Sequence, residues 1–348
     1  MLVVSGYTWD SGIKTELIDL GRPNIMCDLP DFPKQVVGAV GFNNVNGPTI
    51  CGGFTPGGIL TKECYNLNSD LSWERLTKMT TTRARASVTQ IDSDEVLIMG
   101  GFDEVLMKWT DLKSTEIVSF SRSEASEDLP FTISAHCTLK INETTVLITG
   151  GTQDGKYGSD ATWFMDIFTF KISPGPRLRT GREDHGCATL NLGGKNYGII
   201  TGGWRFKTLD TTEILDLQDL EASKPWKFWK NGKYLKHIIL KLCFECVTEI
   251  PFVGPQLTSE KWWHIRYFPL VITNQGVFLV GGKHKNIGNF PQTNYGRCHE
   301  IIQLYCQDDI IENCQWKEYE QKLQNPRSSH VVIPLPESYD ICTFNNLR

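Results

Sequence analysis

An apolar run that ends in a pair of small residues recurs six times along this chain, and no other feature narrows its fold as far. The runs are Val3-Val4-Ser5-Gly6, Ile50-Cys51-Gly52-Gly53, Ile98-Met99-Gly100-Gly101, Ile148-Thr149-Gly150-Gly151, Ile200-Thr201-Gly202-Gly203 and Leu279-Val280-Gly281-Gly282. Measured on the second small residue, the intervals are 47, 48, 50, 52 and 79 residues. A unit of this size cannot bury its own apolar faces, so units must stack on one another. Length alone, 348 residues, would suggest two domains. The repeat replaces that reading with a single domain, 1–348.

Other columns keep step with the pairs. Downstream lies a short β-branched run led by a Glu: Thr15-Glu16-Leu17-Ile18, Lys62-Glu63-Cys64-Tyr65, Thr115-Glu116-Ile117-Val118, Thr212-Glu213-Ile214-Leu215 and His299-Glu300-Ile301-Ile302. Thr162-Trp163 replaces the Glu in the fourth unit. Next comes a Trp or a Pro segment (Trp73, Leu129-Pro130, Gly175-Pro176, Trp229, Trp316). A basic residue then precedes a small residue or His by three positions: Arg83 with Ala86, Arg182 with His185, Lys261 with His264 and Arg327 with His330. Each unit reads as four short strands with turn signals between them and no sustained helical period.

A period near 50, a Gly pair closing the second strand and a Trp by the fourth resemble the kelch repeat, and the resemblance covers nearly the whole chain. It implies an all-β fold, a six-bladed β-propeller with blades of four antiparallel strands. Because the chain opens on a second strand, Leu2 to Gly6, the first blade lacks an innermost strand. The segment His330 to Leu335 is expected to supply it and clasp the ring. Ile341-Cys342-Thr343-Phe344 competes for the second-strand place, so either it lies outside the ring or the chain is cut inside a blade.

The 79-residue interval contains a stretch, 233–254, that fits no column. Its removal joins Trp229-Lys230-Asn231-Gly232 to Pro255-Gln256-Leu257, echoing Gly175-Pro176-Arg177-Leu178, and leaves an interval of 57. The stretch is either a loop, which a propeller tolerates well, or translated intron. Its Cys243-x-x-Cys246 is half of a zinc ligand set without a second pair.

Eleven Cys is many for a reducing compartment. Cys51 with Cys64, and Cys306 with Cys314, sit at hairpin spacing and are candidate disulfides. Cys137 and Cys187 are expected to act as small buried hydrophobes. One glycosylation acceptor sequence, Asn142-Glu143-Thr144, falls at a turn. The segment from Met1 to Tyr7 does not read as a signal peptide, which an N-terminally truncated chain would reconcile with secretion. With Cys27-Asp28-Leu29-Pro30 and Cys51-Gly52-Gly53, the sequence resembles secreted kelch proteins of invertebrates. That resemblance implies an extracellular location; the alternative is cytoplasmic.

Lys+Arg number 35 against 40 Asp+Glu, a net charge of −5, so no positive field gathers nucleic acid. The apolar stretch from His237 to Val247 is broken by Lys241 and Glu245 and is far short of the roughly 20 residues of a membrane span. His136, His185, His264 and His330 share one column, but equivalent places in different blades are held apart, so no metal site and no cofactor is expected. The Glu column is likewise expected to serve the blades. No G-x-S-x-G, P-loop, H-E-x-x-H or helix-opening G-x-G-x-x-G is present. Galactose oxidase shares the propeller, yet its Tyr and His copper ligands and Tyr–Cys cross-link have no counterpart set here.

What remains is the face that carries the loops after the Gly pairs. Its non-periodic side chains, Trp9, Phe102, Trp109, Tyr157, Trp204, Arg205, His284 and Tyr295, form the candidate binding patch, since Trp, Tyr and Arg anchor interfaces. The expected function is a non-enzymatic interaction or scaffold module with a protein or glycan partner. The alternatives are an intracellular kelch adaptor, such as a ubiquitin-ligase substrate receptor or cytoskeletal binder, and a propeller enzyme of the galactose oxidase-like fold.

Overall fold

The second strands, which end at the Gly pairs, run through the middle of each sheet and are buried on both faces, which is why they read as continuous apolar runs. The computed structural model describes residues 1–8, 12–22, 28–105, 108–221, 224–229, 265–266, 269–285, 295–297, 299–308 and 310–336, with 105, 208, 265–266, 283–285 and 295–297 described by backbone alone. Blade two runs from inside outward as Val40–Asn44, Gly47–Cys51, Cys64–Leu67 and Trp73–Arg75. Blade three is Ser87–Gln90, Val96–Met99, Thr115–Val118 and Ser123–Ala125. Blade four is Cys137–Lys140, Thr145–Thr149, Thr162–Asp166 and Ile172–Pro174. Blade five is Gly186–Leu192, Lys195–Thr201, Thr212–Asp216 and Lys227–Phe228, and blade six is Leu270–Thr273, Gly276–Val280, Ile301–Cys306 and Cys314–Glu318. All pairings are antiparallel.

Blade one is built from both ends of the chain. Leu2–Val4 pairs outward with Thr15–Leu17 and inward with Val331–Ile333, in the register Leu2 to Ile333, Val3 to Val332 and Val4 to Val331. The expected clasp is therefore present, and with it the six-bladed β-propeller. Residues 341–344, which compete for this place in the sequence, and the stretch 233–254 both lie outside the described residues.

Strand alternation distributes the core. In blade three Val96 and Ile98 point to blade two, while Leu97 and Met99 point to blade four. Six apolar clusters result, one in each gap between neighbouring blades. The cluster that holds Val3 and Ile18 against Phe278 and Ile301 closes the ring between blades six and one.

Gly100 and Gly101 show why the pairs recur. Both have left-handed φ, 58° and 89°, where a side chain is strained. They lie where two connectors pass: a Cβ on Gly101 would sit 2.7 Å from Ala84 O, and one on Gly100 would collide with Ile133 O. The first connector enters this blade and the second enters the next.

Cys51 bonds to Cys64 and Cys306 to Cys314, both across paired strands. Cys137 and Cys187 correct the expectation of buried thiols, for they too form a disulfide, with Cα atoms 6.1 Å apart. The reason is register. Cys137 lies opposite Thr149, whereas Gly186, not Cys187, lies opposite the equivalent Thr201. Side chains alternate along a strand, so this one-residue offset turns the two sulfurs toward one another across the gap between blades four and five.

Candidate functional site at the channel mouth

Among the described residues, the innermost strands of blades one to five are each preceded by one residue with left-handed φ: Gly38 (66°), Arg85 (51°), Ala135 (52°), Asp184 (51°) and Ser329 (51°). Four of these are not glycine, and each such residue costs on the order of 1–3 kcal/mol. A chain of backbone hydrogen bonds around the ring offsets that strain. The N–H of Gly38 donates to Ser329 O (3.1 Å), Arg85 N–H to Gly38 O (2.8 Å), Ala135 N–H to Arg85 O (2.9 Å) and Asp184 N–H to Ala135 O (2.9 Å). Five blades are thereby stitched at the axis, around a cavity of about 220 Å³ whose lining includes these residues and Pro269 of blade six. The backbone there is periodic, but the side chains are not. Arg85 of blade three reaches Asp184 of blade five, Nη1 to Oδ2 3.4 Å.

Around this mouth stand the residues that follow the Gly pairs. Tyr7, Phe54, Phe102 and Trp204 bridge to Ser328, Val37, Ala84 and Glu183 of the connectors, and Thr152 pairs with Ser134 in the same way. Phe102 and Trp109 come from a hairpin, Phe102–Val105 with Lys108–Asp111, that stands on this face. Their rings meet edge to face at 5.0 Å, and Phe54 lies 6.0 and 6.4 Å from them. Trp109, Tyr157 and Phe206 are exposed, and the Arg205 guanidinium lies 6.0 Å from the Phe206 ring centre.

The mouth is acidic around Arg85. Burial pushes the carboxyls of Asp111 and Glu183 above their usual range. A 2.6 Å hydrogen bond from Ser134 opposes the shift at Asp111, and one from Thr152 opposes it at Glu183, while Arg85 holds both down. Asp154 adds to the first shift and Asp184 to the second.

The periodic columns do their work away from the mouth. Glu116, Glu213 and Glu16 each pair, fully buried, with the arginine of the connector that enters their own blade, Arg83, Arg182 and Arg327. Each arginine also donates to the first residue of the small pair, at Gly100, Gly202 and Ser5. In blade four both partners change, to Trp163 and Ile133, and Gln153 Nε2 donates to Gly150 instead. His136, His185 and His330 are buried in three different blades. The Nε2 of His136 lies 2.7 Å from Ser87 Oγ in the preceding blade. Thr149 donates to the Cys137 carbonyl, so its oxygen accepts from His185 at 3.0 Å. His264 lies outside the described residues.

Of the sequence-derived patch, Phe102 and Trp109 come together and Trp204 and Arg205 neighbour Phe206; Tyr157 is exposed. Trp9 lies outside the described residues, and His284 and Tyr295 pair backbone to backbone with Gly296 and Lys285. Sequence reasoning missed Tyr7, Phe54, Arg85 and Asp184. Their signal is a fixed place in the repeat filled by changing chemistry.

No family model matches the chain, and no curated protein matches it. Solved structures do. The chain shares its fold with YjhT. That structure superposes with a TM-score of 0.62 over 88% of this chain and 90% of its own, at 14% identity. The likeness is one of fold alone. Among the described residues no helix is long and apolar enough to cross a membrane.

Proposed function

We propose that this chain is a kelch-type propeller that serves as a binding or scaffold module outside the reducing cytosol, gripping a protein or glycan partner with its channel-mouth face. The observation that carries the reading is the group Phe54, Phe102 and Trp109, with Trp109 53% exposed, beside the Arg85–Asp184 pair. Large aromatic area next to oriented charge is the composition of interface hot spots. Every described cysteine is half of a disulfide, which supports an oxidising compartment and disfavours an intracellular adaptor. A photo-cross-linking residue at 109 or 157 is expected to capture a partner from extracellular material. The same residue at Phe168, on the far face, is expected to capture none; capture from 168 alone would overturn the reading. The raised carboxyls of Asp111 and Glu183 favour a second reading, an enzyme using one of them as proton donor. Glycan hydrolysis lost in Glu183→Gln would replace the first reading with that one.

A further inference from the structure

The hairpin joining Cys137–Lys140 to Thr145–Thr149 has at its tip Asn142, Glu143 and Thr144, all exposed. The Asn142 side-chain oxygen shapes the turn. It accepts the N–H groups of Thr144 and Thr145, each at 2.9 Å, and the Thr144 hydroxyl at 3.2 Å. With Oδ1 engaged by the backbone, the carboxamide nitrogen is left for solvent.

Blade three makes the same turn with a carboxylate. Asp92 Oδ1 accepts the N–H groups of Asp94 and Glu95, each at 2.8 Å. The turn therefore needs an oxygen at its first position and nothing particular at its third. Folding does not require an amide at residue 142, and blade three closes the same turn without a hydroxyl at the place of Thr144. Asn-x-Thr is the acceptor pattern for N-linked glycans, and it occurs once in the chain.

We propose that Asn142 is an N-glycosylation site, an inference that rests on the oxidising-compartment reading above. The co-reactant is a lipid-diphosphate-linked oligosaccharide. A bond forms between Asn142 Nδ2 and the anomeric carbon of the first sugar, and the bond from that carbon to the diphosphate breaks. The lipid diphosphate leaves with the electron pair, and Nδ2 gives up one proton. Strand direction sets the consequence. Innermost strands start at the channel mouth and end at this hairpin, so the glycan stands on the opposite face. It covers that face with hydrated sugar and leaves the aromatic mouth open.

The test uses the full chain secreted from eukaryotic cells. Wild type is expected to carry a glycan mass on the peptide containing Asn142, released by peptide N-glycosidase with Asp left in its place. Asn142→Asp keeps the turn in the manner of Asp92, and Thr144→Ala keeps the amide. Both are expected to be secreted, disulfide-bonded and unmodified. Secreted wild type with its three disulfides intact and Asn142 unmodified would overturn the proposal alone. Free thiols at Cys51, Cys64, Cys137, Cys187, Cys306 and Cys314 in protein from its native source would overturn the compartment reading, and the proposal with it.

Discussion

A methyl group on Gly150 would stand 2.8 Å from His185 Cε1, one on Gly281 would stand 2.9 Å from His330 Cε1, and one on Gly151 would stand 2.7 Å from His136 Cβ. The imidazoles are wedges between glycines of adjacent blades, and two columns that look independent in the sequence are one contact. Periodicity made their structural role legible; the partner did not show, because it belongs to the neighbouring repeat. The Arg and Glu columns behave alike. Losing one member strands a buried charge at a cost of about 3–5 kcal/mol, so in blade four both members change together, to Ile133 and Trp163. The wedges also set an acid limit. Burial lowers His136 from 6.5 to about 3 and holds His185 and His330 well below their usual value. Above about pH 6.5 these side chains are neutral in the folded and the unfolded chain. Below it the unfolded chain takes protons that the fold refuses, and stability falls by roughly 1.4 kcal/mol per pH unit for each histidine. Denaturant unfolding between pH 7 and 5 is expected to be less steeply pH-dependent in His136→Asn by about that amount. Equal slopes would show that the ring is protonated within the fold.

Among the elements, strand number and order were readable from apolar runs and turn residues, and hairpin spacing gave Cys51–Cys64 and Cys306–Cys314. Cys137–Cys187 was not readable, because it depends on a one-residue difference in strand register between blades. This bond joins neighbouring blades, whereas the other two lie within blades two and six. It closes 50 residues of chain against 13 and 8. Loop-closure entropy therefore gives it about 4 kcal/mol, compared with roughly 3 and 2.5 for the others. Replacing both its cysteines with Ala is expected to lower the unfolding free energy more than the same change at Cys306 and Cys314. An equal or smaller loss, read by urea unfolding under non-reducing conditions, would mean that apolar packing already fixes blade four against blade five.

At the scale of the molecule, six repeats and a surplus C-terminal strand announced a ring, and the ring makes the candidate site. Arg85 and Asp184 are 99 residues apart in sequence. They become neighbours only when blades three and five face one axis, so no local motif could have shown them. Phe102 and Trp204 were singled out in the sequence, whereas Tyr7 and Phe54, which hold the same place directly after the small pair, were passed over. All of this requires closure by Val331–Ile333 on Leu2–Val4, with Val3 and Ile18 sealed against blade six. Hydrogen exchange of those two strands measures closure directly. The amides of Val331–Ile333 and Leu2–Val4 are expected to exchange together, as slowly as the second strands of the other blades and only through global unfolding. Fast exchange of Val331–Ile333 while Val96–Met99 and Thr145–Thr149 stay protected would show an open ring and contradict the account.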